Sequence, residues 1–175
     1  MSLFYVTGVP GTGKSTIQKE LQKRGYEAYD VDEPAFGGPV NKATGKPTTV
    51  PPIEERRPEW FDEHEWRISR QAIEDLKTRS EGKTIYLCGT ATTENLVWDL
   101  FDMVLYLNID EETLRSRIAA RTDNDFGKTE HELRLILERY KAAQQNIGKL
   151  NVTLIDATKP VRQVVEEVIK QGSSR

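Results

Sequence analysis

The chain has 175 residues, the length of one compact domain and too short for two ordinary enzyme domains, so residues 1–175 are read as one unit. Its 25 lysines and arginines against 28 aspartates and glutamates leave a formal charge of −3, and no basic excess points to nucleic acid or an anionic membrane as the main partner. No stretch approaches the roughly 18–20 apolar residues of a membrane span. The segment Met1 to Val6 lacks the charged start of a signal peptide, and the single Cys88 lies in an apolar run with no partner for an internal disulfide. A soluble cytoplasmic protein is expected, and nothing in the sequence sets an oligomeric state.

Leu3 to Val6 is a short β-prone run that stops at a glycine-rich turn, and Lys14 to Arg24 follows as a helix with Ile17 and Leu21 at i, i+4. Tyr26 to Asp30 reads as a second strand. Residues 37–58 carry three glycines and five prolines with almost no large apolar residue and read as a flexible loop of functional type. Asp62 and Glu65 then have the spacing of a capping box, which predicts one helix from Asp62 to about Arg79 with Trp66, Ile73 and Leu76 on one face. Thr84–Cys88 and Met103–Leu107 are near-continuous apolar strands of the kind buried on both faces of a parallel sheet, and Asn151–Ile155 makes a fifth strand.

Asp110, Glu111 and Glu112 mark a helix start, with Leu114 and Ile118 set for packing and Arg117 and Arg121 paired at i, i+4 on a neighbouring face. Thr122–Lys128 is a polar, hinge-capable loop. A second capping box, Thr129 with Glu132, opens a helix whose Leu133, Ile136, Leu137, Tyr140, Ala143 and Ile147 recur at helical spacing. Val161, Val164, Val165 and Val168 repeat that rhythm after Pro160. Such alternation of strand and helix predicts a layered α/β domain with a parallel sheet and right-handed crossovers.

Gly8-Val9-Pro10-Gly11-Thr12-Gly13-Lys14-Ser15 matches G-x-x-x-x-G-K-[ST] without a mismatch, between an expected strand and an expected helix. Gly8, Gly11 and Gly13 let backbone N–H groups turn inward around phosphate oxygens, and the helix that opens near Lys14 adds its positive end. Lys14 supplies a mobile cation for the outer phosphates, Ser15 an oxygen for Mg²⁺, and Thr12 and Thr16 flank them. ATP and Mg²⁺ are the expected cofactors. Asp30, Asp32 and Glu33 stand at the carboxyl end of the second strand, where ligands gather in open α/β sheets.

On these residues, Gly8 to Thr16 above all, the chain resembles the P-loop small-molecule kinases, the group of adenylate, shikimate and nucleoside kinases, and the resemblance spans nearly its whole length. It implies a three-layer α/β/α P-loop NTPase fold with a five-stranded parallel sheet, a lid over residues 111–147 bearing Arg117 and Arg121, and an acceptor-side loop at 37–58. Such chains are often labelled AAA-type ATPases, but no hydrophobic run ends in the Asp-Glu pair that a ring-forming ATPase would use. The implied activity is ATP-dependent phosphoryl transfer to a small metabolite, with a nucleoside or nucleotide acceptor slightly favoured; an ATP-binding switch or slow ATPase acting on a protein through residues 37–58 is the alternative.

By the same resemblance, Asp30 would hold Mg²⁺ with Ser15, and Asp32 would accept the proton of the attacking hydroxyl. Arg117 and Arg121 would neutralise the departing phosphoryl charge, and the backbone of Asp156 and Ala157 would line the adenine. Gly89-Thr90-Ala91-Thr92 matches the segment by which shikimate-type kinases approach their acceptor. The strand before it ends without an acid, so the metal's carboxylate must come from elsewhere. Arg56, Arg57, Trp60, His64, Trp66 and Arg67 suit a clamp for a planar or anionic acceptor, although Trp66 is more at home in a core.

Overall fold

The computed structural model describes residues 2–122 and 124–173. The chain runs β1 (Leu3–Thr7), α1 (Lys14–Lys23), β2 (Glu27–Asp30), β3 (Gly37–Asn41), α2 (Pro58–Glu63), β4 (His64–Ile68), α3 (Arg70–Arg79) and β5 (Ile85–Cys88). It continues with β6 (Met103–Asn108), α4 (Glu111–Ala120), α5 (Glu130–Asn146), β7 (Thr153–Asp156) and α6 (Val161–Ser173). Five strands form an all-parallel sheet in the order β2-β5-β1-β6-β7, with β1 at its centre, and β3 and β4 pair as a separate antiparallel hairpin.

The three inner strands β5, β1 and β6 are buried on both faces, which is why they read as unbroken apolar runs. Phe4, Val6, Leu105 and Leu107 point to one side and pack with Ile17 and Leu21 of α1, Leu114 and Ile118 of α4 and Val165 and Val168 of α6. Leu3, Tyr5, Ile85 and Leu87 point to the other, against Ile73 and Leu76 of α3 and Val97 and Phe101 of a 3₁₀ segment at Glu94–Leu100. Helices above and below the sheet give the expected three layers.

Two expectations from the sequence are corrected. The single helix from Asp62 to Arg79 is three elements: α2 ends at Glu63, β4 carries His64 to Ile68, and α3 begins at Arg70 with Ser69 as its cap, the Ser69 hydroxyl accepting from Ala72 N at 3.3 Å. Pairing decides this, because β4 lies in register with Gly37–Asn41, and Trp66 also exchanges hydrogen bonds with Thr92 (Trp66 N to Thr92 Oγ1 3.2 Å, Thr92 N to Trp66 O 2.9 Å). The loop at 37–58 correspondingly loses its first five residues to β3, and Ile53–Glu55 forms a 3₁₀ turn.

The lid helices end where their caps dictate. Asp110 Oδ1 accepts from Thr113 N at 2.7 Å to start α4. The helix stops at Ala120, so Arg121 lies just past it on extended backbone and does not continue the i, i+4 pair with Arg117. Lys128 Nζ closes the end of α4 by donating to the carbonyls of Ile118 and Ala119, both at 2.8 Å. Thr129 Oγ1 accepts from Glu132 N at 3.2 Å, as a capping box requires, but the Glu132 carboxylate turns elsewhere.

Candidate active site

At the carboxyl ends of the strands, β1 breaks into the loop Gly8–Gly13. Gly8 holds a left-handed φ of 148°, and a Cβ there would lie 2.8 Å from the Leu107 carbonyl oxygen, so only glycine lets the loop leave the sheet at this angle. The loop borders a cleft of about 1300 Å³ lined by Pro10 to Ile17, Asp30, Asp32 and, from the lid, Arg117 and Arg121. Lys14 Nζ donates to the carbonyls of Gly8 (2.6 Å) and Val9 (3.0 Å), which holds the ammonium across the mouth of the loop.

Burial lowers the Lys14 pKa to about 8, with Arg121 pushing the same way and Glu94, Asp32 and Asp30 opposing it. Burial likewise raises Asp32 to about 6, reinforced by the neighbouring Asp30 charge and opposed by Lys14. Two groups poised on either side of neutrality therefore share one cleft. Asp30 is held in a tight turn: its Oδ1 accepts from Asp32 N at 3.0 Å, and Glu33 Oε1 accepts from Asp30 N at 2.8 Å. Glu33 thus shapes the turn. Gly89, at the end of β5, lies so close to Val31 that any side chain there would strike it, and this brings Thr90 to Thr92 alongside the aspartates.

Ser15 and Asp30 offer hydroxyl and carboxylate oxygens to the same cleft, and no group of three or more metal-binding side chains exists among the described residues. That donor set fits Mg²⁺, which keeps most of its waters and takes one or two protein oxygens plus substrate phosphates.

The remaining candidates fall into place unevenly. Arg117 Nη1 donates to Thr12 O at 3.3 Å and its Nη2 to Ala157 O at 2.8 Å, so this side chain braces the P-loop against the segment after β7. Ala157 also donates its N–H to Asn108 O at 2.9 Å, and the residue, largely buried, borders the cleft. Asp156 is absent from the cleft lining and accepts from Thr158 N at 3.1 Å. Gly8 faces a smaller chamber beside the loop. Trp60, His64 and Trp66 line the cleft, with Trp60 stacked on His64 at 4.6 Å.

Two features escaped the sequence reading. The first is Glu94, a buried carboxylate at the head of the 3₁₀ segment. It accepts from Tyr5 Oη, Thr7 Oγ1, Thr90 Oγ1 and Ala91 N, each at 3.0 Å. Burial raises its pKa and those four donors oppose the rise. The second is Arg56, read as an acceptor clamp. Its Nη1 bonds Glu132 at 2.9 Å and Asp125 at 3.1 Å, and its Nε donates to Pro51 O, while the other Glu132 oxygen accepts from Gly127 N at 2.9 Å. The loop before α2 is thereby tied to the base of the lid. No spacing in the sequence links residues 56, 125 and 132.

The five-stranded parallel sheet, the P-loop at the end of its central strand and the arginine-bearing lid make up a P-loop fold of the kind that small-molecule kinases have. The chain belongs to the family described as AAA domain, which matches residues 5–138. Among solved structures it is similar to a shikimate kinase from Acinetobacter baumannii in complex with shikimate (TM-score 0.62, 18% identity, covering 100% of this chain and 96% of that one). It is similar also to a sugar kinase from a Janibacter species (0.56, 24%, 96% and 92%) and to a deoxyadenosine kinase from M. mycoides with bound dATP (0.53, 18%, 99% and 100%). At these identities the likeness is one of fold. No curated protein matches the sequence. No helix among the described residues is long and apolar enough to cross a membrane.

Proposed function

We propose that residues 1–175 act as one cytoplasmic domain that transfers the γ-phosphoryl group of ATP to a small metabolite, with nucleosides and nucleotides among the candidate acceptors. The observation that carries this reading is the meeting of Lys14, Asp32 and Arg121 in one cleft at the end of the P-loop. The loop amides, with Gly11, Thr12 and Gly13 at its turn and Thr16 in the first turn of α1, cradle the phosphates, and Lys14 swings from its two carbonyls to the outer ones. Bound Mg²⁺, held by Ser15 and Asp30, would supply positive charge to the phosphate oxygens. Asp32 orients the attacking hydroxyl and takes its proton. Arg121 meets the transferred group, Arg117 keeps the loop in shape, and Ala157 flanks the adenine beside the turn formed by Asp156.

The test measures ADP release from Mg·ATP alone and then with pools of nucleosides, nucleotides, sugars and hydroxy acids. Stimulation by one pool, abolished in Lys14→Ala, is the expected result. Release that no pool stimulates, whether slow or absent, refutes the kinase reading; slow release that a protein partner changes then selects the switch or ATPase.

A further inference from the structure

Residues 50–66 give the main cleft a wall that the roles above leave unused, and Trp60, Phe61, His64 and Trp66 all border the space. This wall stands on the Asp32 side of the P-loop. Trp66 is bonded through its main chain to Thr92, and the close approach of Gly89 to Val31 sets Thr90 to Thr92 beside the aspartates.

The rings are fixed by contacts of their own. Trp60 and His64 stack with centroids 4.6 Å apart and 11° between their planes, and His64 Nδ1 lies 2.8 Å from Trp60 O. Phe61 meets Trp60 edge-on at 5.3 Å and Phe126 of the lid at 5.6 Å. Core packing does not account for them: Trp66 packs against one of the two clusters that form the core, but Trp60 and Phe61 are part of neither among the described residues. Arg56 is the cation that this wall contributes to the cleft, and it is already bonded to Glu132, Asp125 and Pro51 O. What the wall offers a ligand is therefore aromatic surface held in place. Such a surface takes up a second flat ring at little cost in side-chain entropy.

We infer that the acceptor carries a planar aromatic ring, which lies against Trp60 and its neighbours while its hydroxyl reaches Asp32. The inference rests on the kinase reading for the word acceptor, and it narrows the substrate class to heteroaromatic alcohols, nucleosides among them. A plain sugar or a saturated hydroxy acid would leave the rings without a partner.

Calorimetric titration of the full chain tests this with adenosine, guanosine, cytidine, uridine and pyridoxine against ribose, gluconate and shikimate, each with ADP and Mg²⁺ present and again without nucleotide. The expected result is that at least one ring compound binds about tenfold or more tightly than ribose, gluconate and shikimate. Base-on-aromatic stacking sets the size of the mutant effect: Trp60→Ala and Trp60→Leu should each weaken that compound by about fivefold to a hundredfold. Leucine keeps apolar bulk without a ring face, so its loss matches that of alanine if stacking is the cause, and Trp60→Phe should recover part of it. Binding of Mg·ATP by each variant reports that it is folded.

Ribose, gluconate or shikimate binding as tightly as every ring compound, no binding of any ring compound, or a loss below about fivefold in folded Trp60→Leu overturns the inference. ADP release that no pool of acceptors stimulates overturns the kinase reading instead, and the titrations without nucleotide still judge the ring site.

Discussion

Replacing Arg56 by alanine strands the Glu132 carboxylate in the interior. The two side chains are 6% and 1% exposed and 2.9 Å apart, and Asp125, the other partner of Arg56, is half in solvent. Removing one member of a buried pair costs about 3–5 kcal/mol, because the remaining charge has neither water nor counter-ion. In a protein of this size each kcal/mol is worth about 2–4 °C, so the melting temperature should fall by about 6–20 °C. Exchanging both partners for methionine should recover most of that loss, since a dry apolar pair often matches a buried ion pair. A residue of about 1 kcal/mol should remain because the Gly127 N–H loses its acceptor. Thermal and urea denaturation of the wild type, both single variants and the double variant provide the measurement. A drop below about 3 °C in Arg56→Ala would mean that water reaches Glu132 and that the loop before α2 is not locked to the lid by this pair.

Lys14→Ala should cut phosphoryl transfer by orders of magnitude and leave the melting temperature within a few degrees, since Lys14 bonds only loop carbonyls; wild-type turnover in the folded variant would exclude the site. The pH profile of kcat/KM should be bell-shaped. Asp32 must be ionised to take a proton, so activity rises as pH passes about 6, and Lys14 must be protonated, so activity falls as pH passes about 8. Asp32→Asn should lower turnover and flatten the acid limb while ATP affinity holds, and loss of ATP binding instead would assign Asp32 to the metal. Arg121→Ala should lower kcat about tenfold or more with little change in the KM for ATP. Arg115 is the control: it pairs with Glu111 at 2.8 Å on an exposed face, and Arg115→Ala should leave both constants unchanged.

The inner strands Leu3–Thr7, Ile85–Cys88 and Met103–Asn108 were legible because burial on both faces forces a continuous apolar run. The β3–β4 hairpin was not. Gly37-Gly38-Pro39 has little strand propensity of its own and becomes a strand only because Trp66 and its neighbours offer a partner some 27 residues later in the chain. Trp66, Ile73 and Leu76 happen to fall at helical spacing, which hid the break between β4 and α3. The local signal that was available was Ser69, a good cap placed three residues before Ala72.

The phosphate loop could be read from eight residues because its chemistry is made by consecutive backbone amides, and Asp30 and Asp32 could be placed because strand ends collect ligands. Glu94 belongs to the other kind of site, assembled from segments far apart in sequence. Glu94 occupies ground close to where a strand-end acid would stand, since its carboxylate reaches Thr7 at the end of β1 and Thr90 after β5. Its Oε2 accepts from Tyr5, Thr90 and Ala91, however, and Thr7 reaches both oxygens, so most of its hydrogen-bonding capacity is spent within the fold. In the proposed function the metal role goes to Asp30, whose Oδ1 alone is engaged in the turn, and the proton to Asp32, whose pKa is raised by burial and then by the charge of that same neighbour.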